Sequence, residues 1–145
     1  MGRLTLPVSG VVYVDTAPLI YTVERHADYE FLLLPLWVAV ENGTLYAATS
    51  ELALLETLVK PLRDGDAVLA GDYETLLTAT RLRLQPITAQ ILKEAAQLRA
   101  TSKLKTPDSI HAATALALGC VQFITNDEGF RKISSLPVTV LKDLL

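Results

Sequence analysis

The chain has 145 residues, half of them apolar and a fifth charged, with a formal net charge of −3. That composition fits one domain over residues 1–145 with a real core, and it excludes a disordered chain. The longest apolar run, residues 31–40, contains Pro35 and is too short to cross a bilayer; the start carries no basic segment leading into a long apolar region, so a cytoplasmic protein without membrane association is expected.

In chain order, VVYVD (residues 11–15) is an apolar, β-branched run ending in an acid, as a buried strand would. TAPLIYTVERH then has helical character, with Asp15 or Thr16 near its cap and Pro18 in its first turn. Residues 28–42 carry a second helical pattern ended by Asn42-Gly43; Pro35 must kink that helix or divide it in two. LYAATS (residues 45–50) reads as a second strand, and Ser50 is placed to cap the next helix, with Glu51 in its first turn. There Leu52, Leu55, Leu58 and Val59 recur at helical spacing, with an end expected near Lys60-Pro61. Asp64-Gly65-Asp66 is a turn, and Asp66 can cap a helix reaching Thr80. Residues 84–88 form a weak strand that Pro86 restricts to an edge, and residues 88–100 another helix.

The next stretch, LKTPDSIHAATALALGCVQFITNDEGF, is the best-signposted part of the chain. Thr106 suits an N-cap, Pro107 the first helical position, and Asp108 the first turn; Gly119 suits the end. VQFIT is a short strand with Asn126-Asp127 just past it. A small helix over residues 127–134 and a strand over 138–141 complete the pattern. Alternating helices and strands without a repeat or linker describe a parallel sheet covered on both faces. The lone cysteine, Cys120, reads as a buried small hydrophobe.

Asp15 and Asp127 both follow strands, Asp108 opens the helix before the fourth strand, and Glu56 lies in the helix after the second. In a parallel sheet, Asp15 and Asp127 share the edge where open α/β sheets place ligands. Glu56 joins them if its helix leans across that edge. Converging carboxylates without matching bases repel and raise one another's pKa values, and a divalent cation removes the conflict. Oxygen-only ligands favour Mg2+ or Mn2+ over zinc, and phosphodiester hydrolysis is the chemistry that suits such a site.

VVYVDT, SELALLE, TPDSIHAATA and ITND together resemble the four acidic motifs of PIN-domain ribonucleases, especially the VapC-like toxins of toxin–antitoxin pairs. The resemblance extends over residues 11–141 and is most specific in TPDSIHAATALALGC followed by FITND. It implies a three-layer α/β/α sandwich with a central mainly parallel sheet. It also implies a metal held by Asp15, Glu56, Asp108 and Asp127, an RNA substrate, a cognate antitoxin and a homodimer. Thr16, Thr125 and Asn126 could hydrogen-bond the carboxylates or metal-bound waters, or could simply serve caps and turns.

Plainer roles stand beside these. Asp15 could end a strand and Glu56 could be a solvated helix residue, while Asp108 could answer the helix dipole alone. His111, one turn after Asp108, reads as a packed or hydrogen-bonded side chain rather than a general base, since a metal activates water without it. Lys103 and Lys105 could meet an RNA backbone or only solvent. Two other functions are open: a PIN domain serving RNA processing or non-catalytic binding, and an α/β phosphatase or phosphoacceptor. A dehalogenase-type phosphatase would show a second Asp two residues after Asp15, where Ala17 stands, and a receiver domain would show an acidic pair near the first strand.

Overall fold

The computed structural model describes residues 2–145. Strand β1 (Val11–Val14) leads into helices α1 (Thr16–Val23) and α2 (Glu30–Glu41) and then β2 (Tyr46–Ser50). Helices α3 (Leu52–Asp64) and α4 (Ala67–Thr78) precede β3 (Arg83–Gln85), and α5 (Ala89–Thr101) and α6 (Thr106–Ala117) precede β4 (Gln122–Thr125). A 3-10 turn (Glu128–Lys132), β5 (Val138–Val140) and a second 3-10 turn (Leu141–Leu144) follow.

The strands form one sheet in the order β3-β2-β1-β4-β5, and every pairing is parallel. β1 therefore lies in the middle, with successive strands added first to one side and then to the other. The reversal falls between β1 and β4, where doubly wound sheets open a crevice at their carboxyl ends. The register pairs Val14 with Ile124, and the Asp15 N–H donates to the Ile124 carbonyl at 2.9 Å. Asp15 and Thr125 are thereby brought side by side at that crevice.

Alternation along the strands divides the core into two layers. Val12, Val14, Ala47 and Ile124 pack with Leu19, Leu33, Leu36 and Leu77 of α1, α2 and α4. Tyr13 and Phe123 face the other way, onto Ala112 and Ala115 of α6 and onto Phe130. α5 lies against α6 through Ile91, Ala95, Ile110 and Ala113. The result is the expected α/β/α sandwich. Each large aliphatic side chain removed from water contributes about 1.5–3 kcal/mol.

Several local details differ from the sequence expectations. α2 runs unbroken through Pro35. Leu32, Leu33, Leu36 and Val40 are buried on one face and hold the two halves in line, while Pro35 and the Phe31 carbonyl that loses its partner belong to exposed residues. α3 continues through Pro61 to Asp64 and closes at Gly65, whose φ of 69° is left-handed. α1 stops at Val23 rather than near His26, and Arg25 takes a φ of 55°. Lys105, not Thr106, occupies the α6 cap position; the Thr106 hydroxyl instead accepts from Arg99 Nη1 at 2.8 Å. β3 is shorter than expected and lies at the sheet edge, as Pro86 requires.

Candidate active site

The β1–β4 crevice holds Asp15 in a fixed orientation. Asp15 caps α1: its Oδ1 accepts from the Thr16 N–H at 2.8 Å, and its Oδ2 accepts from the Thr125 hydroxyl at 2.7 Å. The residue is 8% exposed, so a single rotamer is locked by both bonds. Thr125 Oγ1 also accepts from the Asp127 N–H at 3.0 Å, drawing the turn after β4 toward β1. Asp127 itself is exposed, and its Oδ1 accepts from the Gly129 N–H at 2.8 Å.

Glu56 reaches the crevice from α3, one and a half turns past the end of β2. Its Oε1 accepts from the Thr16 hydroxyl at 2.8 Å and lies 2.6 Å from His111 Nε2. Thr16 is thus the joint between the two sides of the site, since its backbone holds Asp15 and its hydroxyl holds Glu56. His111 projects from α6, is 1% exposed, and also lies 3.7 Å from Asp15 Oδ1. The expectation of a hydrogen-bonded histidine matches this position.

Asp108 stands in the first turn of α6 at half-burial. Burial, together with the charges of Asp15, Asp127 and Glu56, raises its pKa above the usual carboxylate value, and His111 opposes this only in part. The charges of the three other predicted acids thus all act on Asp108. Glu56 goes the other way: burial works to raise it, but the hydrogen bond and charge of His111 and the Thr16 hydroxyl outweigh burial and lower it. For His111, burial favours the neutral ring, but the Glu56 hydrogen bond and the charges of Asp15, Glu56 and Asp108 prevail and raise its pKa. Among the described residues no Lys or Arg forms an ion pair with any of the four acids.

Among the described residues, no group of three or more His, Cys, Asp or Glu side chains is arranged to form a complete metal-binding set. The donor chemistry nevertheless fits Mg2+ or Mn2+. Mg2+ takes only one or two protein carboxylates, completing its octahedron with water and substrate phosphate. Two acids here are held rigidly by hydrogen bonds and two are more exposed, with only oxygen donors among them.

A family model described as PIN domain matches residues 12–136. The chain belongs to the PIN domain family. This PIN domain is similar in fold to several solved structures. One is VapBC2 from Rickettsia felis bound to a promoter DNA fragment, at 18% identity and a TM-score of 0.71, covering 90% of this chain and 98% of that one. A toxin–antitoxin complex from Klebsiella pneumoniae has 22% identity and a TM-score of 0.68, with 90% and 97% covered. VapBC-1 from nontypeable Haemophilus influenzae has 20% identity and a TM-score of 0.66, with 91% and 98% covered. No curated protein matches the chain significantly.

Of the three residues expected to support the acids, Thr16 and Thr125 do so directly. Asn126 does not contact them: its Nδ2 donates to the Tyr21 hydroxyl at 3.0 Å and its Oδ1 accepts from the Lys142 N–H at 2.8 Å. It ties the end of β4 to α1 and to the C-terminal turn of the PIN domain. The residue that sequence reasoning did not connect to the site is Tyr13, whose hydroxyl lies 2.6 Å from His111 Nδ1. Its only signal was its place two residues before Asp15 in a strand otherwise built from valine.

Proposed function

We propose that this PIN domain, as a single unit over residues 1–145, is a divalent-metal-dependent endoribonuclease and the toxin of a toxin–antitoxin pair. The observation that carries the reading is the convergence of Asp15 and Glu56 on Thr16 and His111 at the β1–β4 crevice, with the Asp108 pKa pushed up by burial and by the charges of Asp15, Asp127 and Glu56 and, among the described residues, no Lys or Arg paired to any of the four. These four would hold Mg2+ or Mn2+. The bound ion would polarise the phosphate and lower the pKa of a water for attack on phosphorus. Asp15 is pre-oriented by Thr16 and Thr125, and Glu56 by Thr16 and His111, so neither needs to reorganise when substrate arrives.

A cognate antitoxin is proposed as the partner, supported by the likeness in fold to a structure described as a toxin–antitoxin complex and to one described as a member of the VapBC family of toxin–antitoxin systems. Homodimerisation through α3 is supported by Leu55, Val59 and Leu62, exposed at helical spacing on one face. A cytoplasmic setting is proposed on the same basis; no helix among the described residues is long and apolar enough to cross a membrane.

The purified protein with Mg2+ or Mn2+ is expected to cleave structured RNA, and Asp15→Asn and Asp108→Asn are expected to abolish cleavage while staying folded. Equal cleavage by both folded variants would contradict the proposal.

A further inference from the structure

Glu56 lies inside α3, beyond its first turn and six residues past the end of β2, so something must fix its direction toward the crevice. Two hydrogen-bond donors converge on its Oε1: the Thr16 hydroxyl at 2.8 Å and His111 Nε2 at 2.6 Å. A carboxylate only accepts, so the ring must present an Nε2–H to it. Thr16 gives its own hydroxyl proton to Glu56 and can therefore be only an acceptor toward the same Nε2–H, 3.1 Å away. Among the described residues Glu56 Oε2 has no hydrogen-bond partner.

The far side of the ring is also held. His111 Nδ1 lies 2.6 Å from the Tyr13 hydroxyl. Tyr13 is wholly buried, stacks on Phe123 with ring centroids 5.0 Å apart and planes 5° apart, and meets the His111 ring edge-on at 5.8 Å. A flip of the imidazole would break both short bonds at once. The path therefore runs from the aromatic core under β1 and β4, through both nitrogens of one buried ring, to a single oxygen of Glu56.

We propose that Tyr13 and His111 form a positioning relay that fixes the Glu56 side chain, with Oε1 pinned and Oε2 directed to the acidic crevice. Neither residue touches substrate in this scheme. The relay acts through Glu56 alone, in the way that partners behind metal-binding side chains orient them. The inference rests on the proposed role of Glu56 at the metal.

The test is Mn2+ titration by calorimetry of the wild type, Glu56→Gln, His111→Leu, and the double variant, with ring 15N spectra of the metal-free protein alongside. His111→Leu is expected to weaken Mn2+ binding by about 10–100-fold. The double variant should bind no more weakly than Glu56→Gln, because the relay has nothing left to orient. His111→Gln, whose amide nitrogen can stand near Nε2, should recover most of the affinity. Should His111→Leu fail to fold, Tyr13→Phe keeps the stack on Phe123 and should weaken binding in the wild type but not in Glu56→Gln.

In the ring spectra, the Nε2-bound proton should be present in the wild type and its resonance should move in Glu56→Gln, with the Nδ1 resonance moving in Tyr13→Phe. Wild-type affinity in His111→Leu, or losses that add in full to those of Glu56→Gln, would overturn the relay. Ring resonances indifferent to both Glu56→Gln and Tyr13→Phe would overturn it equally, and do so even if the protein bound no Mn2+ and the nuclease reading itself had failed.

Discussion

Replacing Asp108 with Asn is expected to stabilise the metal-free protein at pH 7 and to destabilise it relative to the wild type once Mn2+ is added. The Asp108 carboxyl is pushed up first by burial and then by Asp15, Asp127 and Glu56, so the folded state binds its proton more tightly than the unfolded chain does. The sign follows: wild-type stability is unaffected by this group below the unfolded pKa and falls as pH rises through the raised folded value. Asp108 is only half-buried, and water screens its repulsion. Removing the charge should therefore yield about 0.5–1 kcal/mol, after discounting for screening, or roughly 2–4 °C in Tm for each kcal/mol in a chain near this size. Saturating Mn2+ at about 100 times its Kd adds about 2.7 kcal/mol to the wild type alone, which reverses the order. Thermal unfolding of both proteins in EDTA and in Mn2+, from pH 4 to 8, reads all three effects. An Asn variant less stable than the wild type in EDTA at pH 7 would show that Asp108 serves the helix start more than it suffers from its neighbours, and the reasoning would fail.

Removing the buried ring by His111→Leu takes away the short hydrogen bond of the Tyr13 hydroxyl and should cost about 2–4 kcal/mol in urea unfolding. Adding Tyr13→Phe should recover part of that loss, because a buried polar group that loses a hydrogen bond is what costs most. Gly119 holds a left-handed φ of 62° at the end of α6, whereas Gly71 lies exposed inside α4 with open space around it. Gly119→Ala should therefore destabilise by about 1 kcal/mol, and Gly71→Ala stabilise by about 0.5–1 kcal/mol, in the same unfolding assay. Burial pushes the Cys120 thiol up to about 11, so alkylation should be slow at pH 7.5 and rise roughly tenfold per pH unit toward pH 10; fast labelling at neutral pH would contradict the burial seen here.

The places of Asp15 and Asp127 were legible because each follows a short apolar run of strand type in an alternating helix–strand pattern, which points to a parallel sheet and so to its carboxyl edge. Asp108 was legible from Pro107 and the helix start, although the cap fell one residue earlier because Thr106 is engaged by Arg99. Glu56 is different. Nothing in α3 itself says that its helix leans over β1; the contact depends on Thr16 and His111, which lie 40 and 55 positions away in sequence. Tyr13 was silent for a related reason. A strand buried on both faces shows no polar alternation, so a lone tyrosine in VVYV carries no sign of which layer it faces. The run of α2 through Pro35 was open for the same cause, since only the tertiary packing of Leu32, Leu33, Leu36 and Val40 decides it.

The central claim is that acids gathered at the β1–β4 crevice hold a divalent cation. Calorimetric titration of Mn2+ into the wild type and into an Asp15→Asn/Asp108→Asn double variant at neutral pH tests it most directly. Saturable binding by the wild type, absent in a double variant with an unchanged circular dichroism spectrum, is the result expected. Equal binding by both proteins, or none by the wild type, would contradict the account.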